Sequence, residues 1–382
     1  MRTARLAILA ISVWSSLFAG RAYAEQCEAP CVAYEVNAAV ENDFTRFGAP
    51  ERGTSNDLYP DSEASLAFHP LDWLVFTGVL KAEPIEDLPI GNWREFGDVG
   101  VYADQLNASV LLHHLIITAG KIHPQFGLAW DVTPGLHGTD VAETYELKER
   151  DGGNVAYRFD FLGIEQEVNV SGFTVDRTLL SDSLLTSRGL SKLDDGGAGN
   201  SDGISSVAAS LDGCIGVAPR DCYELGDAGY ELAVRWQTAN GSDHDELGAV
   251  ATAFKTMSID DLDKVTLLGE AAYFQNFDAS EDNAAFLTAA VAWKHDKTTY
   301  SVAYGHETLI SPDEGNTQTD LVDLTVKQAL DGQYSLAGET WSIALGYTFS
   351  RDDGQNSSTL GVRLEADIDG VHSLSNVTSA HD

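Results

Sequence analysis

The sequence predicts an all-β fold, a transmembrane antiparallel β-barrel of about 16 strands, within a range of roughly 14 to 18. Three observations lead to this prediction. Segments of about ten residues alternate between apolar and polar side chains, as expected for tilted strands with lipid on one side. Long and short connections follow one another in turn, as in outer-membrane barrels. After residue 24, the sequence has no run of about 18 apolar residues that would form a spanning helix.

The alternation is clearest from Trp341 to Ser350. The apolar side of this segment consists of Trp341, Ile343, Leu345, Tyr347 and Phe349. The pattern returns in residues 359–368, where Arg363, Glu365 and Asp367 occupy the polar side. A watery lumen accepts such charges, whereas a dry protein core does not. Strands of an ordinary β-sandwich usually run about five or six residues, so the segment length favours the barrel over a secreted or surface β-sandwich that binds carbohydrate or cells.

The strands are expected to begin at regular places along the chain, near residues 34, 62, 72, 98, 110, 154, 163, 204, 228, 246, 264, 284, 297, 318, 339 and 357. Long connections are expected at 45–61, 82–97, 122–153 and 176–203. Tight turns are expected at 70–71, near 107, and at 162–163, 258–263 and 295–296. Residues 212–227 are an exception, because this connection is long where a short turn is expected. Aromatic residues gather toward strand ends, which is typical of a girdle at the lipid–water boundary.

The first residues have the organisation of a secretory signal peptide. Arg2 and Arg5 precede the apolar run 6–18, and Ala22-Tyr23-Ala24 supplies a cleavage pattern of small residues. The run is shorter than the roughly 20 residues that a spanning helix needs. We therefore expect residues 1–24 to be a signal peptide, 25–369 the barrel, and 370–382 a polar C-terminal tail, in a protein exported to the outer membrane.

The chain is strongly acidic. It has 23 Lys and Arg against 59 Asp and Glu, a formal charge of −36. Loss of Arg2, Arg5 and Arg21 with the signal peptide leaves 20 basic side chains against the same 59 acidic ones, a charge of −39. This balance argues against nucleic acid as a partner, because nucleic acid requires a basic surface. It suits a surface that concentrates cations, and it is equally compatible with acidity that only maintains solubility.

Four cysteines form two close pairs, Cys27 with Cys31 and Cys214 with Cys222. In an exported protein such pairs indicate two small disulfides. We expect no metal site at the cysteines, because the two spacings differ and no histidine cluster lies near either pair. The Gly- and Asp-rich run 194–203 lacks the ordered spacing of a calcium loop and is predicted to be a flexible loop. No catalytic motif and no phosphate-binding glycine loop is present, so we expect neither an enzyme nor a cofactor.

The most informative stretch runs from residue 121 to residue 150. It begins with the pattern Gly120-Lys121-x-x-Pro124-x-Phe126-Gly127 and continues through glycines and aromatics into a charged run. A connection of about thirty residues that retains aromatics and glycines is expected to be packed rather than mobile. Residues 143–150 also fit a short amphipathic helical segment outside the barrel, with its charges in water.

This pattern, the signal peptide and the strand periodicity together resemble bacterial outer-membrane porins, and more narrowly the siderophore-uptake porins. The resemblance covers most of the chain as architecture and about thirty residues as a local motif. It implies that the third long loop folds into the lumen and constricts it. The implied acidic groups of the constriction are Asp131, Asp140, Glu143, Glu146 and Glu149, with Lys121, Lys148 and Arg150 as basic partners. Porins usually end on an aromatic residue in the last strand, whereas this chain ends on a polar segment.

The resemblance implies a channel in outer-membrane lipid that admits small hydrophilic solutes, and it allows a homotrimer. Charges that face one another across a narrow passage bias which ions pass, so the acidic loop implies a preference for cations. A substrate-specific siderophore channel is the alternative within the same fold.

Overall fold

The structure, a computed structural model, is a closed antiparallel β-barrel of sixteen long strands. It describes residues 27–219, 222–260, 262–312, 315–330 and 340–374. The expected signal peptide, its cleavage site before Glu25 and the last eight residues of the expected tail lie outside this part of the chain. None of the described helices combines the length and the apolar character that crossing a membrane requires.

The strands follow one another around the barrel in chain order. They are β1 (Cys31–Phe47), β2 (Gly53–Pro60 and Ser62–Leu71), β3 (Leu74–Pro84), β4 (Val99–Leu112), β5 (Leu115–Ile122), β6 (Arg150–Phe161), β7 (Ile164–Val175), β8 (Ser206–Ile215), β9 (Ala228–Gln237), β10 (Glu246–Ser258), β11 (Asp263–Gln275), β12 (Asn283–His295), β13 (Thr298–Ser311), β14 (Gly315–Leu330), β15 (Thr340–Asp352) and β16 (Gln355–Ser373).

The barrel closes between its first and last strands. β1 pairs with β16 over its whole length, from Cys31 opposite Ser373 to Phe47 opposite Ser357. Closure leaves the wall without a free sheet edge, which is the condition for β-structure in lipid. The closed wall confirms the predicted fold class and excludes the β-sandwich. The last strand also continues to Ser373, so residues 370–373 belong to the wall and not to the expected tail.

The two faces of the wall differ in chemistry. On β9, Leu232, Val234 and Trp236 are about half exposed on the outside, whereas Glu231 and Arg235 between them are buried on the inside. Large apolar side chains are exposed on the outside in the same way on β1 and on β10 to β16. An apolar outer surface around a polar interior is the reverse of a soluble protein and is the pattern of a transmembrane barrel.

Aromatic side chains mark both ends of the apolar outer surface. Trp293 and Tyr300 stack with ring centroids 5.3 Å apart near the end of the barrel that holds the chain termini. Trp236 and Phe349 are exposed near the opposite end. Rings of this kind belong at the lipid–water boundary, so the two levels delimit the part of the wall that lies in the membrane.

The connections at the two ends differ in length, as predicted, with two corrections. At the end with the chain termini, called the turn end, residues 72–73, 113–114, 162–163 and 296–297 make tight turns. The turn expected near residue 107 was wrong, because Asn107 lies inside β4 and the chain reverses at His113 and His114. At the opposite loop end, the connection expected at 45–61 is reduced to 48–52, because Gly53–Pro60 is strand.

Two of the described connections fold back into the lumen. Residues 123–149, here called the inner loop, connect β5 to β6 and contain the short helices α1 (Ala129–Val132) and α2 (Asp140–Glu143). Residues 216–227, the turn insert, connect β8 to β9 at the turn end and contain α3 (Cys222–Leu225). The Cα atoms of Cys214 and Cys222, which are joined by a disulfide, are 5.7 Å apart. Cys27 and Cys31 form the second disulfide, beside the start of β1.

The connection between β7 and β8 is held by backbone contacts. The carbonyl of Gly199 accepts the N–H of Val175, and the N–H of Gly199 donates to the carbonyl of Thr238. The side-chain amide of Asn200 donates to the carbonyls of Lys192 and Gly196. Gly199 therefore ties the Gly- and Asp-rich run 194–203 to the ends of β7 and β9, and Asn200 binds it to other residues of the same connection.

Candidate pore constriction

The inner loop lies inside the barrel, because it contacts residues that face inward on many strands. The N–H of Gly127 donates to Glu231 on β9, and the N–H groups of Leu128 and Ala129 donate to Glu270 on β11. Farther along, the N–H of Leu136 donates to Thr325 on β14 over 3.1 Å. The loop therefore follows the inner wall from β9 to β14.

Two glycines allow the loop backbone to approach wall carboxylates. Gly127 has φ of +79°, and a Cβ there would lie 3.0 Å from Glu270 Oε1. Gly135 has φ of +128°, and a Cβ there would lie 2.2 Å from Asp323 Oδ1. Only glycine combines this backbone conformation with such close contact. These glycines position the loop, and their presence agrees with the prediction of a packed segment.

An apolar cluster attaches the returning half of the loop to the wall. The Tyr145 ring centroid lies 4.7 Å from that of Phe286 and 5.6 Å from that of Phe274. Phe126 packs against Phe274 at 5.8 Å. Leu147 is buried in the same cluster. Aromatic contacts at these distances stabilise beyond the area they bury, so the loop has a small core of its own with β11 and β12.

A buried arginine connects this cluster to the wall. Arg235 on β9 donates from Nε to Glu246 Oε1 over 2.7 Å, and from Nη1 to the carbonyl of Tyr145 over 2.5 Å. Its guanidinium lies 4.6 Å from the ring centroids of both Phe126 and Phe274. The arginine therefore fixes the loop by a hydrogen bond and by cation–π contact at once.

The structure separates the eight charged residues predicted for the constriction into two groups. Asp140 and Lys148 have side chains 47% and 41% exposed, and Glu143 is also exposed to the lumen. The remaining five residues take other positions. Lys121 is buried with Glu149 and Asp176, Glu146 is buried against Lys148, Asp131 is buried on α1, and Arg150 begins β6.

The Lys121 cluster anchors the ends of the inner loop. Lys121 Nζ lies 2.7 Å from Glu149 and 2.9 Å from Asp176 and donates to the carbonyl of Leu180. Arg188 forms a second ion pair with Glu149. Buried charges of this kind are retained when each has partners. The cluster therefore connects the loop to the neighbouring connection between β7 and β8, a structural role that the loop sequence did not reveal.

The exposed charges of the loop face a wall of mixed sign. Burial lowers the pKa of Lys148, but Glu146, 3.0 Å away, together with Glu143 and Glu83 raises it above its usual value, and Lys81 on β3 opposes that rise. Enclosure by the lumen, followed by the charge of Asp140, raises the pKa of Glu143 to about 7. Charges on the loop and on β3 are thus close enough to influence one another across the gap.

The wall itself is predominantly acidic. Among the described strand residues, the buried carboxylates outnumber the buried cations Lys121, Arg158 and Arg235. These carboxylates are Glu41, Asp43, Asp104, Glu167, Glu231, Glu246, Glu270, Asp323, Glu365 and Asp367. Fixed negative charge around a low-dielectric passage raises the local concentration of cations.

Two chambers lie within the described part of the chain, and the inner loop lines the one toward the turn end. The chamber toward the turn end has a volume of about 220 Å³ and is lined by Gln105, Asn107, Gln125, Glu167, Asn169 and Asp212, among other residues. The chamber toward the loop end, about 290 Å³, is lined by Asp57, Tyr59 and Arg94 on the β1–β2 side. The turn insert narrows the first chamber, because Tyr223 and Cys222 belong to one apolar cluster with Leu128 and Val132 of the loop.

The closed wall, its apolar outer surface and its polar lumen define a transmembrane β-barrel. No family model matches the sequence, and no curated protein matches it at a significant level. Solved structures with low similarity include OmpT of Vibrio cholerae lacking loop L8, an outer membrane protein (12% identity, 87% of this chain, 99% of that chain, TM-score 0.49). They also include the outer membrane channel DcaP of Acinetobacter baumannii (11% identity, 90% of this chain, 99% of that chain, TM-score 0.48). A third is Pseudomonas aeruginosa OpdK with vanillate (8% identity, 88% of this chain, 99% of that chain, TM-score 0.49).

Proposed function

We propose that this protein is an outer-membrane porin that allows small hydrophilic solutes to pass passively, with a preference for cations. The observation that carries the proposal is the inner loop, which lies against the inner wall of the polar lumen and lines the chamber on its turn-end side. A polar lumen crossed by one packed loop restricts passage by size and charge. The proposed role requires no chemical step, and the acidic wall supports the cation preference.

The alternative is a channel specific for siderophores. The chambers, at about 220 and 290 Å³, are small beside the roughly 300–1,000 Å³ of sites that enclose drug-sized ligands. This favours ions and small solutes over ferric siderophores. A deletion strain that loses ferric-siderophore uptake while retaining general permeability would favour the specific channel.

The proposal predicts a cation-selective conductance in a planar bilayer. With a salt gradient of potassium chloride across the bilayer, the reversal potential is expected to have the sign for potassium, because carboxylates dominate the described inner wall. Selectivity is expected to weaken at high salt, since screening over a Debye length of about 3 Å at 1 M removes the field of the wall. Anion selectivity, or the absence of any conductance from folded protein, would contradict the proposal.

A further inference from the structure

Three side chains from distant parts of the sequence converge at the tip of the inner loop. Glu41 and Asp43 project inward from β1, and His137 lies on the loop between α1 and α2. One ligand atom from each of the three residues lies within 4.8 Å of the other two. His137 Nε2 is 3.4 Å from Asp43 Oδ1 and 3.8 Å from Glu41 Oε1.

These three atoms are buried and none makes an aligned hydrogen bond, while His137 Nε2 lies within ion-pair distance of both carboxylate oxygens. The Glu41 side chain is only 3% exposed, so its Oε1 has little access to solvent. A buried polar atom that lacks a well-aligned partner destabilises the folded state, and more so when it is charged. Three such atoms directed toward one point indicate a shared ligand that supplies positive charge.

The other polar atoms of the same side chains are already occupied. Arg363 donates to Glu41 Oε2 over 3.2 Å, and Tyr59 donates from its hydroxyl to Asp43 Oδ2 over 2.8 Å. His137 Nδ1 lies 3.5 Å from an Asp140 oxygen. A carboxylate at Nδ1 favours the tautomer in which Nε2 carries a lone pair, as in carboxylate–histidine–metal arrangements. The surroundings thus orient one free atom of each residue toward the shared point.

The size of the gap suits a small cation. Zinc bonds of about 2.0–2.2 Å in a tetrahedral site place neighbouring ligand atoms roughly 3.3–3.6 Å apart. The two distances from His137 Nε2 fall in or near this range. Gly361 on β16 keeps the space open, because a Cβ there would lie 2.7 Å from Asp43 Oδ1 and 3.6 Å from His137 Nε2.

We propose that Glu41, Asp43 and His137 bind one divalent cation of the zinc class, with water in the fourth position. One imidazole nitrogen and two carboxylate oxygens suit zinc better than calcium or magnesium, which prefer oxygen ligands alone. The cation connects the tip of the inner loop to β1 and holds the constriction in place. This site is independent of the proposed passage of solutes, because binding is measured on protein in detergent without any conductance.

The test uses the full mature chain without a histidine tag, folded in detergent and stripped of metal with a chelator. Isothermal titration with Zn²⁺ is expected to show one tight equivalent, and Co²⁺ is expected to give the intense visible absorption of a four-coordinate site. Glu41→Gln, Asp43→Asn and His137→Gln are each expected to lower the affinity at least about tenfold, since even outer groups of a metal site contribute that much.

Two further variants separate the site from general effects. His244→Gln is the matched control, because His244 lies 3.4 Å from Glu281 in an exposed histidine–carboxylate pair, and it is expected to leave the affinity unchanged. Gly361→Ala retains all three ligands but fills the gap, and it is expected to weaken binding. Heat-modifiable migration on a gel establishes that each variant folds. The proposal is overturned if folded wild-type protein takes up no stoichiometric zinc, or if uptake is the same in the ligand variants as in the wild type.

Discussion

Replacement of Glu270 by alanine is expected to release the inner loop and increase the single-channel conductance. Glu270 accepts hydrogen bonds from the N–H groups of Leu128 and Ala129 and from the hydroxyls of Tyr145 and Thr252. Hydrogen bonds to a charged group contribute about 1.5–3 kcal/mol each. A loss of about 4 kcal/mol in docking shifts the ratio of docked to released loop by roughly a thousandfold. The variant is therefore expected to show larger and noisier currents in planar bilayers.

Glu281→Ala is the matched control for this variant. This substitution also removes a carboxylate, but the Glu281 side chain is 68% exposed and lies at the loop end, in the connection between β11 and β12. Its conductance is expected to equal that of the wild type. Glu270→Gln retains an oxygen that accepts hydrogen bonds, and its conductance is expected to lie between those of the wild type and of Glu270→Ala. If Glu270→Ala folds and conducts like the wild type, the inner loop does not restrict the passage.

Among the substitutions proposed for this protein, Arg235→Met is expected to lower the free energy of unfolding most. Arg235 is 4% exposed, and its partner Glu246 is 1% exposed. Removal of one member of a buried ion pair costs about 3–5 kcal/mol, because the other charge is left without compensation. The expected loss of stability is smaller than this, because Gln237 and the N–H of Asp278 still donate hydrogen bonds to Glu246. Denaturant unfolding of the detergent-folded protein measures the change.

The double variant Arg235→Met, Glu246→Gln separates the two sources of this cost. If the uncompensated carboxylate causes most of the loss, removal of its charge is expected to recover a substantial part of the stability. The remaining loss then reports the cation–π contacts with Phe126 and Phe274 and the hydrogen bond to the carbonyl of Tyr145. A single variant as stable as the wild type, or a double variant no better than the single one, would contradict the account of Arg235.

The sequence revealed the wall where its strands have one lipid-exposed face. Residues 341–350 alternate because lipid contacts every second side chain, and the strand start expected near 339 is observed at Thr340. Gly53–Pro60 has no apolar face, so its sequence resembles a loop although it pairs with β1. Asn107 was interpreted as a turn residue, yet it lies within β4 and lines the chamber toward the turn end. Where both faces of a strand are polar, periodicity carries no signal.

The constriction could be predicted only in part, because the residues that hold it in place are distant from the loop in the sequence. The length and composition of residues 122–153 indicated a packed loop, but its anchors are carboxylates on other strands. Glu231 and Glu270 lie more than a hundred residues from the loop groups that they accept. In the sequence they look like any other lumenal carboxylate. Glu41, Asp43 and His137 were missed for the same reason, because about 94 residues separate the acids from the histidine and only barrel closure and the loop path bring them together.

The most direct test of a solute pathway along the inner loop is thiol modification of a single open channel. All described cysteines are in disulfides, so Glu143→Cys supplies a reactive thiol on the lumenal side of α2. Addition of a bulky, charged thiol reagent during recording is expected to reduce the current in one step, because the attached group obstructs the passage. Glu281→Cys, labelled in the same way, is expected to leave the current unchanged. If the Glu143→Cys protein is labelled completely, as measured by mass spectrometry, while its current stays constant, solutes do not pass along the inner loop and the account is wrong.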